Sequence, residues 1–212
     1  MISTTELIKK VRYLINETED DSGITLITDD TRSIDDTIQE LMPQAVAIVQ
    51  KNSNGRYVNA KSLAGKNASL ILSSDGFKSL VLPSDFVGLV SVKLDSWKVA
   101  CTKVSSPSSQ TVLYRLNNNL SSISSMPVCV EDVTENGTKA LNLFPSCNSD
   151  TLSHFVYEAS FNATEGLDMC EESMADAVSY VCAALLYNVF ERYEAAKSFM
   201  SFAMALCGGN VH

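Results

Sequence analysis

Histidine is the side chain that most often transfers protons near neutral pH, and the chain contains two of them. His212 is the last residue of the sequence, so a Ser–His or Cys–His site would have to use His154, with Cys147 or Ser153 as the nucleophile. Neither a nucleophile elbow nor a cysteine-protease signature surrounds these residues. We therefore expect His154 to be a polar residue at a strand edge, and we predict no catalytic residue and no enzymatic activity.

Residue types that bind metals are present, but their spacing is not that of a metal site. None of the six cysteines forms a C-x-x-C pair, which zinc sites commonly use. The aspartate pairs at 20–21, 29–30 and 35–36 do not match a calcium loop, and no glycine-rich phosphate loop occurs. We predict no metal and no cofactor, and we expect reduced cysteines in an intracellular protein. The cysteines are Cys101, Cys129, Cys147, Cys170, Cys182 and Cys207.

The net charge of −9 is unevenly distributed along the chain. Residues 1–50 contain ten acidic and four basic residues, and residues 151–212 contain eight and two, whereas residues 51–150 contain seven and ten. Stable binding to a phosphate backbone needs clustered Lys and Arg, which are missing here, so only transient contact with DNA is compatible with this pattern. No apolar run approaches the ~20 residues of a membrane span, and the N-terminus lacks a signal-peptide pattern.

Both ends of the chain have helical periodicity. Ser3 and Glu6 form a capping-box pattern ahead of an apolar stripe, which predicts a first helix. A second apolar stripe over residues 34–49 contains Pro43, which we expect to kink the helix or divide it in two. Residues 167–207 carry two further stripes that are rich in alanine, a residue that lets helices approach closely.

The middle of the chain has short apolar runs, many β-branched residues and frequent turn residues, which predict strands. The Glu135-Asn136-Gly137 segment predicts a hairpin, because Asn-Gly accepts the positive φ of a tight turn. Two serine- and asparagine-rich stretches, 105–110 and 117–125, predict exposed loops. The predicted strands are Ser69–Leu72, Lys78–Leu82, Val87–Leu94, Val99–Val104, Val112–Leu116, Pro127–Val133, Lys139–Phe144 and Phe155–Ser160.

These patterns together predict an α+β protein. Since the N-terminal helices cannot bury their apolar faces alone, we expect residues 1–55 and 162–212 to form one helical bundle. Residues 56–161 would then be an inserted, antiparallel β-rich domain.

The segment from Leu80 to Lys98 contains an apolar run that Pro83 interrupts, and it contains the only tryptophan of the sequence. Pro83 cannot donate to a strand ladder, so we predict a corner between two strands, with Ser84 and Asp85 bonding back to backbone N–H groups. Phe86 and Trp97 are expected to anchor the two ends of the second strand.

This corner and several later motifs resemble the head-to-tail adaptor proteins of short-tailed bacteriophages, also known as tail tubular or ring proteins. The resemblance extends from about Ser3 to Leu206, and SIDDTIQELMPQAVAIVQ (33–50) also resembles ring proteins of crAss-like phages of gut Bacteroidales. The other motifs are LPSDF (82–86), SWK (96–98), PVCVED (127–132), ALNLFPS (140–146), FVYEASF (155–161) and the alanine-rich segment from Asp176 to Leu185.

The resemblance implies a structural virion protein that forms a ring, commonly dodecameric, at the portal vertex and lines the DNA channel. Its implied partners are further copies of itself, the portal protein, other tail or ring proteins and, transiently, the passing DNA. It would be assembled in the cytoplasm of the host bacterium. The polar loops are candidate contacts between subunits, and the candidate residues are Ser105, Ser106, Pro107, Asn117, Asn118 and Asn119.

Three other interpretations of the sequence remain open. The protein could be another stacked component of the connector or tail tube. It could be a non-catalytic module whose β-rich domain binds a ligand such as a glycan. It could also be a hydrolase that uses His154.

Overall fold

The computed structural model describes residues 1–15, 34–53, 56–63, 70–72, 77–106, 126–134, 136–168 and 170–208. Within these residues the fold is mixed α+β, with four helices and two sheets, which confirms the predicted class. The chain divides into two compact units. We call Met1–Ala60 together with Ser160–His212 the helical unit, and Lys61–Ala159 the β unit.

The helices lie in the helical unit, and the strands belong to the β unit except that the first begins at Ala60. The helices are α1 (Thr4–Leu14), α2 (Ile34–Asn52), α3 (Glu172–Val189) and α4 (Tyr193–Leu206). The strands are β1 (Ala60–Ser62), β2 (Leu70–Leu72), β3 (Lys78–Val81), β4 (Phe86–Leu94), β5 (Val104–Ser105), β6 (Val128–Val133), β7 (Lys139–Phe144) and β8 (Leu152–Ala159).

Helix α1 begins at the capping box that the sequence predicts. The Glu6 backbone N–H donates to the Ser3 hydroxyl at 3.2 Å, and the Ser3 backbone N–H donates to the Glu6 carboxylate at 2.8 Å. Two N–H groups that have no partner inside the helix are thereby satisfied. The N-terminus is also held from outside, since Ile2 forms a two-bond bridge with Leu167.

Gly166 makes that bridge possible. It has a φ of +77°, and a Cβ at this position would lie 2.3 Å from the Ile2 carbonyl oxygen. Only glycine accommodates both the left-handed backbone and this close approach.

Helix α2 is continuous across Pro43, so of the two expected outcomes, a kink or a division into two helices, the division is excluded. Pro43 and Gln39 are both exposed. The Gln39 carbonyl, which loses its helical donor to the proline, therefore lies on the solvent side. The opposite face, with Ile38 and Met42 before the proline and Val46 after it, is buried and holds the helix together.

The helical unit has one hydrophobic core, to which all four helices contribute. Leu7 of α1, Ile38 of α2, Met174 of α3 and Ala203 of α4 are all fully buried in it. Alanine is common among its buried residues, as Ala45, Ala175, Ala177, Ala183 and Ala203 illustrate. None of the described helices is long and apolar enough to cross a membrane.

The β unit contains a three-stranded sheet with the order β1-β8-β4 and a five-stranded sheet with the order β2-β3-β7-β6-β5. The pairs β2–β3, β3–β7, β6–β7 and β4–β8 are antiparallel, whereas β5 and β6 are parallel. Residues from both sheets, including Leu80, Val92, Leu141 and Phe155, form its main hydrophobic cluster. The β6–β7 hairpin turns where Asn-Gly predicts, with Gly137 at a φ of +77°.

Two strand assignments need correction. A strand over Val99–Val104 is wrong, because the chain bends after Trp97 and only Cys101 forms an isolated bridge, with Val92. The ladder resumes at Val104–Ser105, where β5 pairs with β6 in parallel. β1, of three residues, carries no visible period in the sequence and was missed. The predicted strand Val112–Leu116 lies outside the described residues.

Candidate functional site

The corner at Pro83 takes the chain from one sheet to the other. Strand β3, in the five-stranded sheet, ends at Val81, and β4, in the three-stranded sheet, begins at Phe86. The Phe86 backbone N–H donates to the Pro83 carbonyl oxygen at 3.1 Å and closes the turn. Proline suits this position, because it fixes its own φ and holds the preceding residue extended.

The prediction that Asp85 bonds back to backbone N–H groups of the turn is wrong, because its carboxylate accepts hydrogen bonds from side chains. One of its carboxylate oxygens accepts a hydrogen bond from Lys61 Nζ at 2.9 Å, and the other accepts one from the Tyr157 hydroxyl at 3.0 Å. The Phe86 ring stacks on the Tyr157 ring with a centroid distance of 5.9 Å. Asp85 therefore links the corner to β1 and β8.

Trp97 is an internal side chain, only 2 % exposed. Its indole Nε1–H donates to the Pro145 carbonyl oxygen at 2.5 Å, and the preceding Phe144–Pro145 peptide bond is cis. Trp97 packs in the same cluster as Leu94 and Leu143, one from each sheet. Its ring is consequently not a surface on which a sugar could stack.

His154 does not meet the nucleophiles considered for it. The Ser153 hydroxyl donates to the Lys93 carbonyl oxygen at 3.1 Å, and the Cys147 sulfur lies 3.3 Å from the Ser149 hydroxyl. His154 Nε2 instead lies 2.6 Å from the hydroxyl of Ser91, across the β4–β8 pair on the exposed side of the sheet.

Of the candidate inter-subunit loops, only Ser105 and Ser106 can be placed. Ser105 belongs to strand β5, opposite Val130 in the parallel pair with β6, so placing it in a loop was wrong. A strand of two residues has too short a pattern to be recognised beside a serine-rich run. Ser106 is exposed and follows the strand. The other candidates, Pro107 and Asn117, Asn118 and Asn119, lie outside the described residues.

Aromatic side chains of α3 and α4 contact one another on the helical unit, and together with Tyr13 of α1, which lies nearby, we call them the aromatic cluster. The Tyr180 ring centroid on α3 lies 5.9 Å from that of Phe199 and 6.0 Å from that of Phe202, both on α4. Tyr187 stacks on Phe199 at 5.3 Å. Tyr13 of α1 lines the same cleft as Tyr180. Tyr13 is 75 % exposed and Phe202 is 60 % exposed, so the cluster reaches the surface.

The cleft beside this cluster has a volume of about 420 Å³ and lies between α1 and α3. Lys9 and Lys10 of α1 line it, and Lys10 Nζ forms an ion pair with Asp176 of α3 at 2.5 Å. The cleft thus combines aromatic surface with two lysines, one of them paired with Asp176, in a unit whose net charge is negative. The sequence does not reveal the group, because Tyr13 lies more than 160 residues before Tyr180 in the chain. The spacing of Phe199 and Phe202 on one face of α4 is the signal that was available.

The cysteines described by the structure are all free thiols. Cys182 is fully buried between helices, and burial raises its pKa to about 12. Burial likewise raises the pKa of Cys170 to about 11. Among the described residues, no group of three or more His, Cys, Asp or Glu side chains could bind a metal ion.

No protein-family model matches the chain, and no curated protein matches it.

Proposed function

We propose that the protein is a non-enzymatic structural component of a bacteriophage virion. In this proposal it forms a homo-oligomeric, dodecameric ring at the head–tail junction, binds the portal protein and lines the DNA channel. It assembles in the cytoplasm of the host bacterium and contacts other tail or ring proteins in the finished particle. The observation that carries the proposal is the aromatic cluster on the helical unit, together with the sequence resemblance to ring proteins.

The aromatic cluster supports self-association because large rings at the surface are a common mark of protein interfaces. Tyr13 and Phe202 expose most of their surface to water in the isolated chain. Lys9, which lines the cleft together with Tyr13, is exposed as well. The helical unit contains 17 acidic and 8 basic residues, so the acidic surface of a second copy complements this basic spot. Contact between two different surfaces of identical subunits is the arrangement that closes into a ring.

The charge of the helical unit supports a place at the channel wall. This unit carries the whole net charge of −9, since the β unit contains eight acidic and eight basic residues. A negative wall repels the phosphates of DNA and favours sliding over tight binding. Contact with the passing DNA is therefore transient and independent of base sequence.

The order of elements supports the adaptor architecture. Helices from both ends of the chain share one core, and the β unit is inserted between them. We propose that the four helices form the bundle expected from the sequence, and that this bundle is the part that contacts neighbouring copies. The β unit then supplies surfaces for the next ring in the stack.

Light scattering and electron microscopy of the purified protein, alone and mixed with purified portal protein, test the proposal. We expect rings, and we expect Phe202→Asp to abolish them while the far-UV circular dichroism stays unchanged. Ser201→Asp is the matched control, because it adds the same charge to the same helix. Ser201 is exposed and points about 100° away from Phe202. This control should assemble like the wild type.

A monomeric wild-type protein in the presence of portal would contradict the proposal. Rings that form without binding portal would place the protein elsewhere in the connector or tail tube. In a reconstruction of the ring, acidic side chains of the helical unit should face the channel, and finding them on the outer surface would remove the role in DNA passage. His154→Ala should assemble normally, since no part of the proposal depends on this side chain.

A further inference from the structure

The corner between α3 and α4 exposes two large apolar side chains. Val189, the last residue of α3, is 57 % exposed, and Tyr193, the first residue of α4, is 65 % exposed. Glu191, Arg192 and Glu194 are exposed beside them in the sequence. Exposed apolar side chains with charged neighbours are typical of a surface that contacts another protein. We call these five residues the corner patch.

Glu191 has a backbone conformation that usually belongs to glycine. Its φ is +57°, and it directly follows the C-terminal end of α3, where the Arg192 backbone N–H donates to the Tyr187 carbonyl oxygen at 2.9 Å. This is the Schellman arrangement, in which glycine is the usual residue because a Cβ is strained there. A carboxylate at such a strained position indicates that its side chain is used, since strained backbone is concentrated at functional sites.

The corner patch and the aromatic cluster lie on opposite sides of the helix pair. Tyr180 and Val189 are nine residues apart on α3, and Tyr193 and Phe202 are nine residues apart on α4. With about 3.6 residues per turn, nine residues make about two and a half turns, so the members of each pair point in opposite directions. One copy of the protein can therefore use both surfaces at once, each with a different neighbour.

The charges of the two surfaces are complementary. The corner patch contains two carboxylates and one guanidinium, so its net charge is negative. In the cleft beside the aromatic cluster, Lys10 is paired with Asp176, and the exposed Lys9 adds a positive charge. Opposite charges favour contact between a corner patch and a cleft over contact between two corner patches or two clefts.

We infer that the corner patch of one copy docks on the aromatic cluster of the next copy. Tyr193 packs against the exposed rings, and the carboxylate of Glu191 or Glu194 lies beside Lys9. The inference rests on the proposed function and names the second surface of the ring contact. Because the two surfaces differ, the contact is head-to-tail, and its repetition closes into a ring.

Cross-linking of wild-type rings tests the contact directly. Equal amounts of unlabelled and nitrogen-15-labelled protein are mixed before assembly and treated with a carbodiimide, which couples a lysine to a carboxylate that touches it. The linked peptides are then identified by mass spectrometry. We expect peptides that join Lys9 to Glu191 or Glu194, with one labelled and one unlabelled partner in the mixed fraction.

Mixing two variants tests the head-to-tail arrangement. Tyr193→Asp removes the corner contact and leaves the aromatic cluster, whereas Phe202→Asp does the reverse. Each variant alone should lose the rings and stay monomeric, and an equimolar mixture should give a heterodimer in native mass spectrometry, because one intact contact remains. Aspartate suits the first turn of a helix, so Tyr193→Asp should keep the far-UV circular dichroism of the wild type. Tyr193→Phe is the matched control, and it should assemble like the wild type because it keeps the ring.

Three results would overturn the inference and leave the proposed function intact. The first is ring formation by Tyr193→Asp at wild-type concentrations, and the second is a homodimer of Tyr193→Asp, which would join two aromatic clusters. The third is a wild-type ring in which Lys9 forms no link to the corner patch of another copy. A wild type that stays monomeric with portal contradicts the proposed function itself. If Tyr193→Asp fails to fold, the cross-links of the wild type decide the question.

Discussion

The helical unit and the β unit bury their apolar residues in different ways. In the helical unit, fully buried alanines such as Ala177, Ala183 and Ala203 let helices approach closely, and the charges stay outside. In the β unit, large rings fill the space between sheets, as Trp97 and Phe155 show. The comparison teaches that the helical unit should be sensitive to added volume, whereas the β unit should be sensitive to lost volume.

Polar contacts differ between the units as well. In the β unit, the Ser79 hydroxyl donates to Asn142 Oδ1 at 2.7 Å, and Asn142 Nδ2 donates to the Asp132 carboxylate at 2.9 Å. This chain of bonds crosses three neighbouring strands. In the helical unit, the ion pairs Lys10–Asp176 and Arg12–Asp35 are partly exposed and connect helices at the surface. Polar groups thus help to fix strand register in the β unit, whereas in the helical unit they form ion pairs at the surface.

Loss of volume in the β unit should have the largest effect. Trp97→Ala removes a buried indole and should lower the free energy of unfolding by about 3–5 kcal/mol. Trp97→Phe keeps most of the packing but leaves the Pro145 carbonyl without this donor, and should cost about 1–2 kcal/mol. Hydrogen exchange followed by mass spectrometry should show faster exchange in peptides of the β unit alone. Equal acceleration in peptides of the helical unit would mean that the two units unfold together.

Added volume in the helical unit should have the next largest effect. Ala183→Leu places a large side chain in a fully buried position on α3 and should cost about 1–3 kcal/mol. Ala205→Leu on α4 is the matched control, because Ala205 is exposed and leucine is nearly as good a helix former as alanine. Urea unfolding followed by circular dichroism at 222 nm measures both. The proposed role of small residues fails if Ala183→Leu is as stable as Ala205→Leu.

The ion pair at the corner should have a smaller effect. Asp85→Asn removes the negative charge that pairs with Lys61 but leaves an oxygen that can accept from the Tyr157 hydroxyl. Since Lys61 and Asp85 are both partly exposed, we expect a loss of about 1 kcal/mol. Asp85→Ala, which removes both contacts, should lose more in the same urea experiment. Equal stability of wild type and Asp85→Ala would show that the corner depends on Pro83 and backbone bonding alone.

Local features of the fold could be predicted from the sequence because they depend on neighbouring residues. The capping box at Ser3 and Glu6 and the hairpin turn at Gly137 need only three or four residues to form. The strand break before Phe86 follows from the backbone of Pro83. Such features are produced by the residues that form them, so each appears in the sequence as a short motif.

Features that depend on distant residues could not be predicted. The continuity of α2 across Pro43 depends on a buried face that other helices cover. The division of β3 and β4 between two sheets depends on pairing with β7 and β8, more than 50 residues later. The aromatic cluster joins Tyr13 to residues near the other end of the chain. In each case the sequence shows the individual residues but not what they contact.

Acid should weaken both units, through one exposed carboxylate in each, and this effect should be the smallest. Hydrogen bonds from Ser3 hold the pKa of Glu6 below its usual value, and hydrogen bonds led by the Thr151 backbone N–H do the same for Asp95. A lowered pKa in the folded state means that the stabilisation is present above the pKa of the unfolded chain and is lost as pH falls through the folded value. We therefore expect urea midpoints to fall below about pH 4.5.

Two variants separate the contributions of these carboxylates. Glu6→Gln should flatten the acid dependence of hydrogen exchange in peptides from α1. Asp95→Asn should do the same for the peptides that contain Asp95 and Thr151. Each variant should leave the other unit unchanged. Carbon-13 NMR titration of the two carboxyl groups measures the pKa values directly. If both groups titrate at the values of unfolded peptides, their hydrogen bonds are too weak to make stability depend on pH. If instead each variant flattens the acid response of both units, the stabilities of the two units are coupled. The difference between their cores, small buried residues in one and large rings in the other, then concerns packing and does not make the units unfold independently.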